Sequence, residues 1–140
     1  MDQTLTGGCL CGAVRYSVTA PLKNVIACHC THCRKISGAG SSHNTVVPAN
    51  AFTLTAGKTK VYQDTAASGN TLYRHFCENC GSSLFSKRHN TPDMMVLKVG
   101  TLDDASQLKL AMNIWTDSTL PWMVLDPAVE RHPQNRPVKT

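Results

Sequence analysis

Three short stretches hold all seven cysteines of this 140-residue chain: Cys9-Leu-Cys11-Gly12, Cys28-His-Cys30-Thr-His-Cys33 and Cys77-Glu-Asn-Cys80-Gly81. The outer two stretches are pairs and the middle one is a triplet. Cys77-x-x-Cys80-Gly81 has the spacing of a zinc knuckle: two thiolates grip one ion from a tight turn, and the glycine takes the conformation that turn tends to require. Cys9-x-Cys11-Gly12 has a shorter bite but ends in the same Cys-Gly step. Together the two pairs make a tetrahedral Cys₄ set, the closed kind of site that holds a fold together. Structural zinc contributes roughly 10–16 kcal/mol in small finger peptides. That is large beside a typical domain stability of about 5–15 kcal/mol.

The triplet implies different chemistry. Cys28, Cys30 and Cys33 can converge on one ion from a loop and the opening of a short helix, whose start favours negative thiolates. One tetrahedral position stays open, as in catalytic zinc sites. Three thiolates make an electron-rich centre, suited to holding a further soft sulfur ligand as a thiolate at neutral pH. His29 and His32 sit between or beside the presumed ligands, so their side chains are expected to point elsewhere. His43 or His75 could still reach the fourth position from a distance. Two zincs are therefore expected: a structural one on Cys9, Cys11, Cys77 and Cys80, and a catalytic one on Cys28, Cys30 and Cys33. The open site is expected to hold its metal less tightly and to lose it more easily.

The elements around these clusters read as strands. Apolar residues alternate at period two in Val14–Val18, in Phe52–Leu54 with Val61-Tyr62 after a turn at Gly57, and in Leu72–Phe76. Leu84-Phe85 leaves the third cluster; Met94–Val99 and Ala111–Trp115 read as further strands. Helix is scarce. One short helix is expected after Cys30, through Arg34 and Lys35, until Gly38 and Gly40 stop it. A single turn is expected over Asp103–Leu108 with an aspartate at its start. Residues 66–70 read as an exposed loop, and 127–140, with Pro127, Pro133 and Pro137, as a weakly ordered tail. The fold class is mainly β, with small antiparallel sheets joined around metal in one domain over residues 1–126.

Composition narrows the function. A net charge of +5 is spread over small basic spots, Arg34-Lys35, Lys58 with Lys60, and Lys87-Arg88, rather than a stripe. That distribution argues against a nucleic-acid surface. No apolar run approaches about 18 residues, so no membrane span is expected. Met1–Leu5 lacks the basic start and apolar run of a signal peptide. A cytoplasmic location follows, where clustered thiols bind metal rather than pair as disulfides.

Gly7-Gly8-Cys9-Leu10-Cys11-Gly12-Ala13-Val14-Arg15-Tyr16, Cys28-His29-Cys30-Thr31-His32-Cys33-Arg34-Lys35 and Phe76-Cys77-Glu78-Asn79-Cys80-Gly81-Ser82 resemble the glutathione-dependent formaldehyde-activating enzyme family, which also contains centromere protein V. Ile114-Trp115-Thr116-Asp117-Ser118 and Pro121-Trp122 resemble its C-terminal segment. Asn113 stands where many members carry histidine. The resemblance implies a β-tent of small sheets around zinc, with the structural and catalytic ligand sets divided as above. It also implies carbon–sulfur lyase activity: reversible joining of formaldehyde and glutathione as S-hydroxymethylglutathione. The partner is then a small-molecule thiol adduct. His29, His32 and His43 are candidates for moving the hydroxyl proton, and Arg34, Lys35, Arg74 and Lys87 for receiving the glutathione carboxylates. The alternative is a zinc-stabilised binding or redox-sensing module without turnover.

Overall fold

Strands follow wherever the period-two alternation runs, and also in stretches where it does not. The structure is a computed structural model and describes residues 4–66 and 68–135. β1 (Thr4–Gly8), β2 (Arg15–Thr19) and β5 (Phe52–Ala56) form an antiparallel sheet in the order β1-β2-β5. The second sheet takes β3 (Asn24–Cys28), β4 (Ser42–Pro48), β6 (Lys60–Thr65) and β7 (Thr71–Phe76). It also takes β8 (Ser83–Arg88), β9 (Met94–Lys98), β10 (Lys109–Ile114) and β11 (Glu130–Arg131). Its order is β11-β10-β3-β4-β9-β8-β7-β6.

The mainly β architecture with antiparallel pairing is as expected, with two differences. The larger sheet has eight strands, and β10 runs parallel to both β3 and β11. Parallel pairing needs a crossover, and the stretch between β9 and β10 supplies it. It crosses to the far side of the sheet, where Lys109 N donates to Lys23 O at 2.8 Å and sets the start of the β3–β10 ladder.

The one α-helix among the described residues, α1 (Thr31–Ser37), starts where expected. Cys30 is its N-cap and accepts from Cys33 N at 3.3 Å; Gly38 ends it in the left-handed conformation at φ 68°. Over Asp103–Leu108 a turn forms but no helix. Asp104 Oδ1 accepts from Ser106 N at 2.9 Å and Leu108 N donates to Ala105 O at 3.1 Å. Asp103 is held instead by Arg15, whose guanidinium keeps its carboxyl at about 2. The expected loop at 66–70 is a tight turn closed by Ala66 N donating to Asn70 O at 2.8 Å; Ala67 lies outside the described residues.

The segment past Pro127 differs most from expectation. Through residue 135 it is docked rather than loose; residues 136–140 lie outside the described residues. β11 pairs with β10, and His132 N donates to Asn113 O at 2.9 Å. In return the carbonyls of His132, Pro133 and Gln134 accept from Thr116, Asp117 and Trp115 at 3.0–3.1 Å. Pro133 takes part because its role here is that of an acceptor, which needs no N–H.

The core lies between the sheets. Val14, Tyr16 and Val18 on one side meet Val47, Phe85, Met95 and Leu97 on the other, all buried. Phe52 sits between the rings of Tyr16 (centroids 5.1 Å apart) and Phe85 (4.9 Å). Gly57, between β5 and β6, has φ +75°, and a Cβ there would lie 2.2 Å from the Ala13 carbonyl oxygen. Backbone cannot yield as a side chain can, and the left-handed conformation adds its own cost. Gly57→Ala is expected to cost at least ~2 kcal/mol, read as a lower midpoint in urea denaturation with an unchanged slope.

Candidate metal centres and the cavity they serve

The four paired cysteines meet where the two sheets join. Cys9 and Cys11 follow β1, Cys77 and Cys80 follow β7, and all four Sγ atoms lie within 4.8 Å of one another. Cys9 Sγ is 3.6 Å from Cys11 Sγ, and Cys11 Sγ is 3.8 Å from Cys77 Sγ. A tetrahedral ion with Zn–S bonds of about 2.3 Å has ligand–ligand edges of about 3.8 Å, so the spacing suits such an ion. Backbone amides support the sulfurs: Val14 N donates to Cys9 Sγ at 3.2 Å and Cys80 N to Cys77 Sγ at 3.5 Å. Ser82 Oγ is 3.2 Å from Cys80 Sγ and accepts from Leu10 N at 3.0 Å, which ties the two halves together. Hydrogen bonds from Ser82 and neighbouring amides lower the Cys80 thiol to about 5. Outer contacts of this kind fix ligands and stabilise thiolates.

Cys28 ends β3, Cys30 caps α1 and Cys33 lies in its first turn; their Sγ atoms also lie within 4.8 Å of one another. Hydrogen bonds from Cys28 and Cys33 bring Cys30 down to about 2, and the same contacts push Cys28 far up. Three thiols this close cannot all ionise without a cation among them, which is the condition a metal supplies. All seven cysteines are unbridged.

The triplet opens on the larger of two cavities; Cys80 of the other cluster borders a shallower surface pocket. Cys28, Cys30 and Cys33 line a cavity of about 930 Å³, whose walls are side chains from one face of the eight-stranded sheet. Ile26 and Cys28 come from β3, Asn44 and Val46 from β4, Val96 and Lys98 from β9, and Leu72 and Arg74 from β7. The residues between them, such as Val47, Met95 and Leu97, face the core. Seven strands laid flat would span roughly 30 Å, so the sheet curls to close around this one space. Arg74, Arg88 and Lys98 bring positive charge to the walls and Glu130 brings negative charge. A cavity of this size, largely apolar with a few converging polar groups, is the form of a small-molecule site.

Residues 4–118 match the family model of the glutathione-dependent formaldehyde-activating enzymes. The chain belongs to that family. A Halomonas elongata protein named "Putative glutathione-dependent formaldehyde-activating enzyme" is 35% identical over 97 residues, which span 65% of this chain and 60% of that protein's length. A Rhodobacter sphaeroides protein of known crystal structure shares the fold, with a TM-score of 0.56 at 23% identity over 70% of this chain and 87% of that one. Among the described residues no helix is long and apolar enough to cross a membrane.

In this member of the formaldehyde-activating family the sequence-derived histidine candidates are placed away from the cavity. His29 is fully buried behind the triplet, and its Nε2 donates to Asn113 Oδ1 at 2.8 Å. His32 Nδ1 pairs with Asp64 at 2.9 Å and does not line the cavity. His43 is exposed, alternating with the cavity-lining Asn44, and lies on a different, shallow surface pocket. His75 stacks on Phe85 with ring centroids 4.3 Å apart and its Nδ1 meets Thr59 Oγ1 at 2.7 Å. Of the basic candidates, Arg74 reaches the cavity, whereas Arg34, Lys35 and Lys87 do not line it.

Asp64 explains the placement of Arg74. Its Oδ2 accepts from Arg74 Nε at 2.9 Å, fixing a guanidinium that is otherwise buried. Burial raises the Asp64 carboxyl, but the contacts from His32 and Arg74 outweigh it and hold the group below its ordinary value. Arg74 thus keeps its other nitrogens for the cavity. Lys98 escapes sequence reasoning because it sits in a run that reads as a buried strand. It is 8% exposed, with Nζ donating to Ser42 Oγ at 2.7 Å. Burial pushes its pKa down while the nearby Cys33 pulls it up. A charged residue at a core-like position of an apolar strand was the available signal.

Proposed function

We propose that the chain is a zinc-dependent carbon–sulfur lyase that joins and splits a small thiol and formaldehyde, with S-hydroxymethylglutathione as the adduct. The observation that carries this reading is the one-sided exposure of the cysteine triplet. Its thiols converge within 4.8 Å and all three open onto a charged cavity, whereas no member of the four-cysteine cluster lines that cavity and only Cys80 borders the shallower surface pocket. Cys9, Cys11, Cys77 and Cys80 would hold a structural zinc, and Cys28, Cys30 and Cys33 a catalytic one. Zinc on the triplet would hold a substrate sulfur as a thiolate at neutral pH.

The protein's own groups do the rest. Arg74 and Arg88 sit on adjacent strands at the wall facing the triplet, which suits the carboxylates of a tripeptide thiol. The guanidinium of Arg74, held by Asp64, offers a planar fork for one carboxylate. Lys98 places a buried ammonium beside the thiol end of the cavity, with a neutral serine as its side-chain partner. A buried cation without an anionic partner is costly, and a bound anion at the triplet relieves that cost. Holding thiol and carbonyl together replaces a bimolecular encounter by a local one.

The test is reconstitution with zinc under reducing conditions, elemental analysis, and exchange of formaldehyde with glutathione followed by NMR. The expected result is two zincs per chain and exchange well above the spontaneous rate. Exchange no faster than in buffer, for glutathione and for a panel of other small thiols, would refute the lyase reading and leave a metal-stabilised binding module.

A further inference from the structure

The segment that the sequence offers as a loose tail builds one wall of the cavity and brings a histidine into it. Of the chain's six histidines, only His132 lines the cavity. The other five are accounted for: His29, His32, His43 and His75 as above, and His89 near the end of β8, its Nδ1 3.4 Å from the Tyr73 hydroxyl. His132 is mostly buried, its side chain 21% exposed, and its Nε2 lies 2.8 Å from Glu130 Oε2. The carboxylate engages one ring nitrogen and leaves Nδ1 for another partner. A ring oriented in this way is the arrangement that proton transfer by histidine requires.

The register places this residue in line with Cys28 on the cavity side of the sheet. Ile114 on β10 is the partner of Cys28, and the backbone of His132 brackets Ile114 through Asn113 O and Thr116 N. Cys28, Ile114 and His132 therefore form a row across three neighbouring strands, all on the cavity side. Two strand spacings separate its ends by ~10 Å between Cα atoms. That leaves room for a one-carbon centre between a held sulfur and an imidazole. The placement is firmly fixed. Trp115, in the cavity wall, is a non-glycine residue in the left-handed conformation (φ 57°, ψ 41°). Such a conformation persists only where the surroundings over-determine it, and the hydrogen bonds between residues 115–117 and 132–134 do so. The family match ends at Ser118, so His132 lies outside it.

We propose that His132, oriented by Glu130, carries the proton to and from the oxygen of the adduct; this rests on the lyase reading above. In the joining direction the thiolate sulfur attacks the carbonyl carbon. The C–S bond forms, the C=O π pair moves to oxygen, and protonated His132 gives its Nδ1 proton to that oxygen. In the splitting direction neutral His132 takes the hydroxyl proton, C=O re-forms, and the C–S pair returns to sulfur. No atom changes its protein bonding and no oxidant is needed. Glu130, Lys98, Arg74, Arg88 and the three thiols are the other charged or titratable groups facing this space. Lys98, buried beside the thiols, is the rival for the proton that the experiment separates.

The experiment compares zinc-loaded full-length wild type, His132→Gln and Glu130→Gln for kcat, KM, pH–rate profile, zinc content and glutathione affinity by calorimetry. Proton transfer of this kind is worth about 10²–10⁴-fold. His132→Gln should lose at least ~100-fold in kcat with KM, zinc and affinity unchanged, and should lose one limb of the pH profile. Glu130→Gln should lose about 10-fold, as removal of an orienting carboxylate does. A His132→Gln protein within a few-fold of wild type, with the same pH profile, overturns the proposal while the lyase reading stands; Lys98→Met is then the variant expected to lose the limb. If His132→Gln fails to fold, an unaltered Glu130→Gln overturns it equally. Wild type that binds glutathione without accelerating exchange overturns both.

Discussion

Cys77→Ser is expected to leave a protein that is largely unfolded at 37 °C, or one whose melting midpoint falls by ~15 °C or more. The scale follows from what the residue holds. Cys77 is 1% exposed and belongs both to the four-thiol cluster and to the apolar core. Cys9 and Cys11 lie at the β1–β2 turn, so the cluster fastens the three-stranded sheet to the β7–β8 end of the larger one. A structural zinc contributes roughly 10–16 kcal/mol in small peptides. Losing even ~5 kcal/mol of that removes a third or more of a typical domain's stability, and ~1 kcal/mol shifts a domain of this size by ~3 °C. Thermal denaturation with and without a strong chelator checks it. Chelation should destabilise wild type by a similar amount and do little more to Cys77→Ser. A variant that melts within a few degrees of wild type would show that packing, not metal, holds the two sheets.

The cysteine spacings made both thiol clusters legible, because close pairs and a triplet are the local pattern of residues that converge on one point. The short helix was legible for a similar reason: Cys30 as a cap and Gly38 as a stop are local signals. β3 and β4 were not legible. Asn24-Val-Ile-Ala-Cys28 and Ser42-His-Asn-Thr-Val-Val-Pro48 each have one face buried and the other on a largely apolar cavity wall, with Ile26 and Val46 beside Asn44, so no simple alternation shows. β11 is hidden by its brevity and by the prolines on either side of it, since its stability comes from partners on β10 rather than from its own residues. The eight-stranded order was out of reach for a related reason. It depends on the return of β10 to the side of β3, a pairing between segments far apart in sequence.

The same cause decides which histidines face the cavity. His29 and His32 stand next to ligands in sequence, but alternation along β3 and the turn of α1 carry their side chains away from the triplet's open side. His132 is distant in sequence and reaches the cavity only because β11 docks beside β10. Only residue type marks Arg74 in the sequence; its placement depends on Asp64, which no local pattern links to it.

Cys30→Ser is expected to lower formaldehyde–glutathione exchange by more than ~100-fold while leaving the fold and the four-cysteine metal in place. The thiol of Cys30 is central to the triplet: contacts from Cys28 and Cys33 converge on it and lower it to about 2. Serine keeps the helix cap, because its hydroxyl can accept from Cys33 N as the sulfur does now, and Ser is a preferred N-cap residue. Stability should therefore change little. The metal site does not survive the exchange, since a neutral hydroxyl replaces a thiolate in a set of three. Loss of an outer partner alone costs about 10–100-fold in affinity or activity, so loss of a ligand exceeds that. Elemental analysis should read one zinc per chain in the variant against two in wild type, with matching thermal midpoints. Retained turnover with one zinc would move the chemistry out of the triplet, whereas two zincs without turnover would show that Cys30 serves the reaction and not the metal.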